Sequence, residues 1–392
     1  MSRWRFLPRT VIVLSLVSFM NDAASEMITP LLPLFLTLTL GSGAAVLGLV
    51  EGLAEAASSL LKLASGYLSD RGWSRRGLVV GGYALANVAR PLIGLAGAWP
   101  AVLLLRFLDR VGKGIRTSPR DALIAASTPA HWRGRAFGLH RAMDNAGAVV
   151  GPVLAWLLLQ QEVGLRDIFL LSVIPGAIVM LLLLTGLKDL PPAAPAPRPP
   201  PLKWRLLHPQ LRGLIIAATG LALASAPEAF LVLWAAERGL EIPWIPLLWA
   251  AASLVKSVLA APAGWLSDHA GRLPVALGGW GLRIAVLVAL ALTGDAGGDH
   301  VTWLLFLAYA GSLALTEAVE RALVGDVAGE QERGTAFGLF HMCVGLAALP
   351  GALIFGGIWQ LAGSAAAFGT AAAIAALSVM LMLWQLRVAA DR

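Results

Sequence analysis

RFLDRVGKGIRTSPRDALIA, residues 106–125, is a highly charged segment at the end of an apolar run that begins near Ala98. Its charged side chains recur at steps of three and four residues, which places them on one face of a helix. They are Arg106, Asp109, Arg110, Lys113, Arg116, Arg120 and Asp121. Charges inside a bilayer are costly and normally face a bundle interior, an aqueous cavity or the membrane surface. The segment therefore predicts a membrane helix that lines a pathway or, for Lys113 to Arg120, a solvated end at the membrane surface.

The composition predicts an all-α polytopic membrane protein. Of the 392 residues, 58% are hydrophobic and only 14% are charged, against roughly 25% charged residues in soluble domains. The single cysteine, Cys343, excludes a disulfide framework and a cysteine metal site. The sequence Gly-x-x-x-x-Gly-Lys-Ser/Thr is absent, which excludes a P-loop ATPase. We expect no cofactor, no metal site and no enzymatic activity, since no nucleophile–base set or metal signature is found.

Twelve segments are apolar enough to span a membrane, given that a spanning helix needs about 20 residues. They cover approximately residues 10–39, 43–68, 78–97, 99–122, 134–160, 166–187, 212–236, 243–267, 273–293, 301–325, 334–361 and 365–387. The net charge of +7 comes from Lys and Arg that concentrate in alternate connecting segments. This pattern indicates membrane orientation rather than nucleic-acid binding, and it predicts that both termini are cytoplasmic.

A proline-rich segment divides the spans six and six. The sequence LPPAAPAPRPPP, residues 190–201, favours extended polyproline structure. We therefore expect an N-terminal six-helix half at residues 1–187, a cytoplasmic linker at 188–209 and a C-terminal six-helix half at 210–392.

The two halves share sequence. RGRAFGL at residues 133–139 matches RGTAFGL at 333–339, an offset of 200, and Gly151 meets Gly351 at the same offset. GYLSD at 66–70 matches GWLSD at 264–268, an offset of 198. This order and spacing predict a duplicated six-helix unit with parallel topology, and such repeats hold the substrate near the midplane between them.

Together these features resemble the major facilitator superfamily over the whole chain. The loop after span two carries the family's Gly-x-Leu-x-Asp-Arg pattern with two further arginines, although Trp73 replaces a glycine. Arg106 is similar to the family's span-four arginine, although Asp109-Arg110 stands where Gln-Gly would follow it. Gly147, Gly151 and Pro152 in span five resemble the family's antiporter motif. The resemblance implies two pseudo-symmetric six-helix halves and a location in the bacterial inner membrane. The chain also resembles a bacterial subgroup with the pattern Ser-Glu-Met-x-x-Pro in span one, here residues 25–30, and Gly-Lys-Gly-x-Arg-x-x-Pro-Arg-Asp in span four, here residues 112–121.

Two pairs of acids four residues apart lie within predicted spans. Asp22 and Glu26 share one face of span one, and two carboxylates in a low dielectric favour retention of a proton on one of them. This suits a proton carrier or a cation ligand, or else a structural pair neutralised by span-four arginines. Glu51 and Glu55 in span two form a cavity-facing pair, or one of them is solvated near the outer surface. Arg90 in span three either snorkels to the membrane surface or pairs with Glu51 or Glu55.

Further charges lie in the remaining spans. Arg141 and Asp144 are one turn apart in span five and form a helix-internal ion pair or contribute to transport. Glu228, Lys256 and Glu317 lie within spans seven, eight and ten. The tryptophans of the second half lie near span ends and are expected to be interfacial anchors. They are Trp234, Trp244, Trp249, Trp280 and Trp303.

A cytoplasmic gate is implied by the family resemblance. An acidic residue at the end of span two can accept hydrogen bonds from a helix N-terminus or from an arginine of a neighbouring span. Gly66 there suits close helix packing. The expected gate residues are Gly66, Asp70, Arg71, Arg75, Arg76 and Asp268.

The leading hypothesis is a monomeric secondary transporter that exports a small molecule in exchange for protons. The mixture of buried acids and arginines favours an organic anion or a zwitterion as substrate. A divalent metal or a metal chelate is the first alternative, because Asp22 and Glu26 supply hard oxygen ligands. A non-transporting membrane receptor or sensor is a more remote alternative. The expected partners are the substrate, protons and the lipid bilayer, with no nucleic acid.

Overall fold

The computed structural model describes residues 7–187, 209–294, 298–327 and 333–390, and no strand occurs among them. The predicted linker, residues 188–209, lies outside the described residues except for Pro209. In chain order the α-helices are α1 (Arg9–Ile28), α2 (Leu32–Leu34), α3 (Ala44–Asp70), α4 (Arg75–Leu92), α5 (Trp99–Ser127), α6 (Arg133–Gln160), α7 (Leu165–Leu171), α8 (Val173–Gly186), α9 (Pro209–Leu223), α10 (Glu228–Glu237), α11 (Trp244–Ala270), α12 (Arg272–Leu292), α13 (Gly298–Val327) and α14 (Arg333–Ala390).

Ten stretches in the described part of the chain are long and apolar enough to cross a membrane. The predicted span at residues 99–122 is not among them, although α5 contains 29 residues, because its charged face lowers its hydropathy. One stretch, Leu339–Trp384, contains 46 residues and is interrupted at Gly363, whose φ of 85° is not helical. The all-helical, multi-span fold is therefore confirmed, while the count of twelve spans stays a prediction.

Local sequence explains several helix boundaries. Ser74 caps α4 by accepting a hydrogen bond from the Gly77 amide at 3.0 Å. Pro30 and Pro33 lack the amide hydrogen that a regular helix needs, and the chain after α1 accordingly continues as short 3₁₀, α and π turns up to Thr39. Gly271 has a φ of 92°, a left-handed conformation that glycine adopts readily before α12.

The helices divide into two compact units. Described residues of the first unit fall within Met1–Gly41, Ala57–Pro197 and Ile242–Ala250. Those of the second fall within Ser42–Ala56, Arg198–Glu241 and Ala251–Arg392. The units thus differ from the predicted halves in the assignment of the beginnings of α3 and α11.

The sequence repeat coincides with corresponding helix packing in each unit. Both copies of the RG-x-AFGL sequence begin a helix, α6 at Arg133 and α14 at Arg333. In the first unit Gly151 of α6 lies against the Ala23 carbonyl of α1. In the second unit Gly351 of α14 lies against the Leu223 carbonyl of α9. The matching glycines therefore occupy equivalent close helix contacts.

The exterior of the helices is apolar, as a bilayer requires. Leu181, Leu292, Leu304 and Leu361 expose more than half of their side chains. Trp234, Trp249 and Trp280 are instead buried, at 3%, 6% and 0% exposure. Their prediction as interfacial anchors was wrong, because their rings pack inside the protein, whereas Trp244 is 39% exposed.

Candidate functional site

A buried ion cluster in the first unit is centred on Asp109 of α5. Arg90 of α4 approaches Asp109 at 2.7 Å, Arg106 at 3.4 Å and Arg110 at 3.9 Å. Arg90 also donates to the side-chain oxygen of Asn21 in α1 at 3.0 Å. Asp109, Arg90 and Arg106 are each at most 2% exposed. Arg90 therefore connects α4 to the Asp109 carboxylate of α5 and to Asn21 of α1, while Arg106 and Arg110 add positive charge from α5 itself.

The expected partner of Arg90 was wrong. Sequence reasoning linked Arg90 to Glu51 or Glu55 of α3, whereas the structure pairs it with Asp109. The spacing of Arg106 and Asp109 on one face of α5 was visible in the sequence. The position of α4 beside that face was not, because it depends on how the helices pack.

A second polar layer lies where α1 meets α6. Ser18 of α1 donates a hydrogen bond from its hydroxyl to the carboxylate of Asp144 in α6. Gly147, one turn after Asp144, lies so close to α1 that a Cβ there would be 3.0 Å from the Cβ of Asp22. The Asp22 carboxylate accepts a hydrogen bond from Asn21 at 3.1 Å. Asp22 and Asp144 thus meet across one helix interface.

The group that meets Asp22 differs from the predicted one. Asp144, Arg116 and Lys113 are the charged groups that act on Asp22. Glu26 points elsewhere and accepts a hydrogen bond from Trp249 at 2.8 Å within the first unit. The expected Asp22–Glu26 pair is therefore replaced by an Asp22–Asp144 pair, because helix packing brings a carboxylate of α6 to this side chain.

Several buried side chains in this layer have polar atoms without a hydrogen-bond partner, Arg116 and His140 among them. Arg116 of α5 is 4% exposed, and its Nε and Nη1 atoms have no hydrogen-bond partner. Its guanidinium group lies over the ring of Tyr83, 4.2 Å from the centroid. His140 of α6 is also 4% exposed, and neither ring nitrogen has a hydrogen-bond partner. Its Nε2 lies 3.8 Å from Asp144.

These groups lie at a similar depth. Asp22 is 13 residues after the beginning of α1, Asp144 is 11 residues after the beginning of α6, and Arg116 is 11 residues before the end of α5. At about 1.5 Å per residue they lie roughly 16–20 Å from those helix ends. This is close to the middle of a hydrocarbon layer of about 30 Å.

The span-five motif brings α6 close to α1. A Cβ at Gly147 would lie 2.4 Å from the Phe19 carbonyl oxygen, and one at Gly151 would lie 2.4 Å from that of Ala23. Pro152 is buried beside them. The motif residues therefore allow the backbone contact at which Asp22 and Asp144 meet.

The remaining predicted acids and Arg141 are more accessible. Glu51 is half-buried, whereas Glu55 and Glu317 are exposed. Arg141 is 65% exposed and lies 3.9 Å from Asp144, at the distance of the expected helix-internal ion pair.

The second unit contains its own ion pair near mid-span. Lys256 of α11 donates to both carboxylate oxygens of Glu228 in α10, at 2.7 and 3.0 Å. Arg283 of α12, which sequence reasoning did not include among the site residues, is 6% exposed and donates to Thr316 at 2.5 Å. Glu228 and Lys256 thus neutralise each other.

The predicted gate is partly described. The Asp70 side chain lies outside the described residues. Arg75 donates to the Ser69 hydroxyl at 3.0 Å, and Arg71 lies over the Tyr67 ring at 4.3 Å. Gly66 lies beside Ser118 of α5. The Arg76 side chain is half-buried.

The corresponding loop of the second unit contains a small ion network. Arg272 of α12 lies 3.1 Å from Asp268 of α11 and also binds Asp326 of α13. One arginine therefore connects the ends of three helices, and the gate role of Asp268 stays a prediction. Within the described residues, no group of three or more His, Cys, Asp or Glu forms a candidate metal site.

Comparison with known proteins identifies similar sequences. The sequence profile of the Major Facilitator Superfamily matches residues 14–316 and 245–391. An uncharacterised MFS-type transporter of Methanocaldococcus jannaschii is 33% identical over 368 residues, which cover 91% of this chain and 90% of that protein. The multidrug resistance protein MdtH of Photorhabdus laumondii is 32% identical over 133 residues, which cover 34% of this chain and 33% of that protein.

Solved structures show the same fold at low identity. A bacterial homologue of the human lysosomal transporter Spinster, in an inward-facing and occupied conformation, has a TM-score of 0.79 at 16% identity over 96% of each chain. A POT family transporter in complex with a thioalcohol-conjugated peptide has a TM-score of 0.80 at 13% identity, over 98% of this chain and 96% of that one.

Proposed function

The chain belongs to the major facilitator superfamily and is a multi-pass membrane transporter, and from that premise we propose that it exports a small organic molecule in exchange for protons. The single observation that carries the proposal is the meeting of Asp22 and Asp144 beside the buried cation Arg116. The transporter works by alternating access, and Asp22 is its coupling acid.

The carboxyl pair supports proton coupling for an electrostatic reason. Two carboxylates that share a poorly solvated site cannot both ionise without repulsion, so the pair favours retention of one proton. Arg116 and Lys113 contribute positive charge at Asp22. A proton held in such a balance is released when the surrounding charges change, as they do when a charged substrate binds.

The charges near Asp22 favour an organic anion or a zwitterion over a bare metal ion. The carboxylates Asp22 and Asp144 are accompanied there by the cations Arg116 and Lys113, and Arg141 lies 3.9 Å from Asp144. A free divalent metal would be repelled by these cations. An organic molecule with an anionic group can use the cations and the carboxylates together.

Efflux is supported by the match to MdtH, a protein that is itself described as a multidrug resistance protein. The antiporter-like motif of Gly147, Gly151 and Pro152 supports exchange, since its two glycines let α6 lie against the segment of α1 that carries Asp22. We propose that the protein is a monomer in the bacterial inner membrane. Both of its termini lie in the cytoplasm, because Lys and Arg concentrate in alternate connecting segments.

Transport by Asp22→Asn protein in proteoliposomes tests the proposal. The probe is the compound that stabilises the purified protein most in a screen of zwitterions, organic anions, amphiphilic cations and metal chelates. We expect Asp22→Asn to abolish transport driven by a pH gradient while exchange of the probe without a gradient survives, because binding persists without proton exchange.

Glu26→Gln is the matched comparison, since Glu26 lies one turn further along α1 and bonds to Trp249. It should retain more gradient-driven transport than Asp22→Asn. If Asp22→Asn retained full, pH-dependent transport, Asp22 would not be the coupling acid. Glu51, Glu55 or Asp144 would then be the candidates for that role.

A further inference from the structure

We propose that Arg116 binds the anionic group of a zwitterionic substrate and that Asp22 accepts its cationic group. The inference deepens the proposed function and rests on it for the identification of the ligand as the transported molecule. The anion-binding site itself rests on the contacts of Arg116.

The first observation is the unused hydrogen-bonding capacity of Arg116. The side chain is 4% exposed, yet two of its guanidinium nitrogens, Nε and Nη1, are buried without an acceptor. Its Cζ lies over the Tyr83 ring, 4.2 Å from the centroid, and this contact uses neither of those two N–H groups. The edge of the guanidinium group that carries Nε and Nη1 is the edge that binds a carboxylate, sulfonate or phosphate. Because buried unsatisfied donors are unfavourable, the edge requires an acceptor.

The neighbouring carboxylates do not supply that acceptor. Asp22 and Arg116 act on each other electrostatically, but the hydrogen bond of Asp22 comes from Asn21. Asp144 is bound by Ser18. In the other buried cluster, by contrast, Asp109 accepts directly from Arg90 at 2.7 Å. The Arg116 charge is therefore opposed by nearby Asp22, but its Nε and Nη1 donors remain available to a ligand.

Close helix packing holds Arg116 in place before a ligand arrives. A Cβ at Gly82 of α4 would lie 2.9 Å from the Cβ of Arg116, and one at Gly112 would lie 2.5 Å from the Gly82 carbonyl oxygen. These glycines let α4 and α5 approach closely at the base of the side chain. The base of the side chain is thus fixed by α4 and its guanidinium group lies over Tyr83, so less freedom is lost when a ligand binds, which lowers the cost of binding.

The requirement for exchange selects a zwitterion over a simple anion. An anion at Arg116 would be repelled by ionised Asp22, so it would bind best together with a proton and would favour co-transport. A molecule that also carries a cationic group places that group at Asp22 in competition with the proton. Its binding displaces the proton, as antiport requires. The zwitterion itself is neutral, so the exchange lowers the net charge of the site by one, the charge that leaves with the proton.

Three matched small molecules test this arrangement in the purified full-length protein. Taurine carries a sulfonate and an ammonium group, ethanesulfonate carries only the sulfonate, and ethylammonium carries only the cation. Binding is measured as the rise in Tm at constant ionic strength in detergent. We expect taurine to stabilise the wild-type protein at lower concentration than either half-molecule does.

Arg116→Gln should lower the affinity for taurine and for ethanesulfonate by about tenfold or more, since charge-assisted hydrogen bonds are lost. Arg116→Lys keeps the positive charge but not the planar fork, so it retains the fold and weakens sulfonate binding to a smaller extent. Arg135→Gln is the control, because Arg135 lies exposed near the beginning of α6 beside Trp132. It should leave both affinities unchanged.

Asp22→Asn should remove the advantage of taurine over ethanesulfonate and improve binding of ethanesulfonate. The inference would be overturned if both Arg116 variants bound taurine and ethanesulfonate as tightly as the wild-type protein does. It would also be overturned if neither compound stabilised the wild-type protein. Either result would show that the edge of the Arg116 guanidinium group is hydrated. Arg116-dependent binding without gradient-driven transport would refute the proposed function alone. The inference alone would be refuted if the protein transported a compound without an anionic group in response to a pH gradient and the Arg116→Gln variant transported it equally well.

Discussion

At the scale of single residues, two aspartates of the first unit differ in how their charge is balanced. Asp109 lies within 2.7–3.9 Å of three arginines, and its carboxylate is 1% exposed. Asp22 is half-buried and takes its hydrogen bond from the neutral side chain of Asn21. A carboxylate with three cations around it has little freedom to change its protonation state. This contrast supports a structural role for Asp109 and a coupling role for Asp22.

Asp109→Asn should destabilise the protein strongly. Removing one partner of a buried ion cluster leaves the other charges uncompensated and typically costs about 3–5 kcal/mol. The measurement is equilibrium unfolding of the purified protein in detergent micelles. Asp121→Asn is the control, because Asp121 is 44% exposed and pairs with Arg120, and such pairs contribute about 0–1 kcal/mol. Similar losses in the two variants would argue against a structural role for the Asp109 cluster.

At the scale of helices, the contact between α1 and α6 determines whether Asp22 and Asp144 meet. The contact depends on Gly147 and Gly151, where a Cβ would lie 2.4 Å from a carbonyl oxygen of α1. Small residues at such positions let membrane helices approach closely. The antiporter-like motif therefore has a direct steric role in building the candidate site.

Gly147→Ala should separate α1 from α6 and lower stability by about 1–3 kcal/mol, the usual cost of overpacking. It should also weaken gradient-driven transport, because the two carboxylates move apart. Unfolding and transport are measured on the same preparation. Gly138→Ala is the matched control on α6, where a Cβ would meet nothing within 4 Å. If Gly147→Ala behaves like Gly138→Ala, close approach of the two helices is not required.

At the scale of the whole molecule, the two units share equivalent helix contacts but differ in their charged residues. Matching glycines make equivalent close contacts in the two units, Gly151 against α1 and Gly351 against α9. The units differ in charge. The first contains the Asp109 cluster and the Asp22–Asp144 pair, whereas Glu228 and Lys256 neutralise each other in the second. This asymmetry supports proton coupling in the first unit.

Reporters fused after Arg392 and within the 188–209 linker should both be found in the cytoplasm. The physical reason is the retention of Lys- and Arg-rich loops on that side. An enzyme that is active only in the cytoplasm, compared with one active only in the periplasm, provides the measurement. A periplasmic signal from either position would refute the predicted orientation.

Sequence alone was sufficient for the fold class, the repeat and the family. These follow from hydropathy, segment length and short motifs, each of which is a local property of the chain. Sequence also identified Asp22, Arg106, Asp109, Asp144, Glu228 and Lys256 as charges within apolar segments. Such charges stand out because burying them without partners is unfavourable in a membrane.

Only the tertiary structure decided which of these charges meet. Spacing along one helix predicted the pair Asp22–Glu26, whereas packing of α6 on α1 brings Asp144 to Asp22 and leaves Glu26 with Trp249. Likewise, packing of α4 on α5 places Arg90 beside Asp109. The same packing places Arg116 over the Tyr83 ring, with two guanidinium nitrogens that have no hydrogen-bond partner. Helical periodicity determines the face on which a side chain lies, but the identity of the helix opposite that face depends on contacts between residues far apart in the chain.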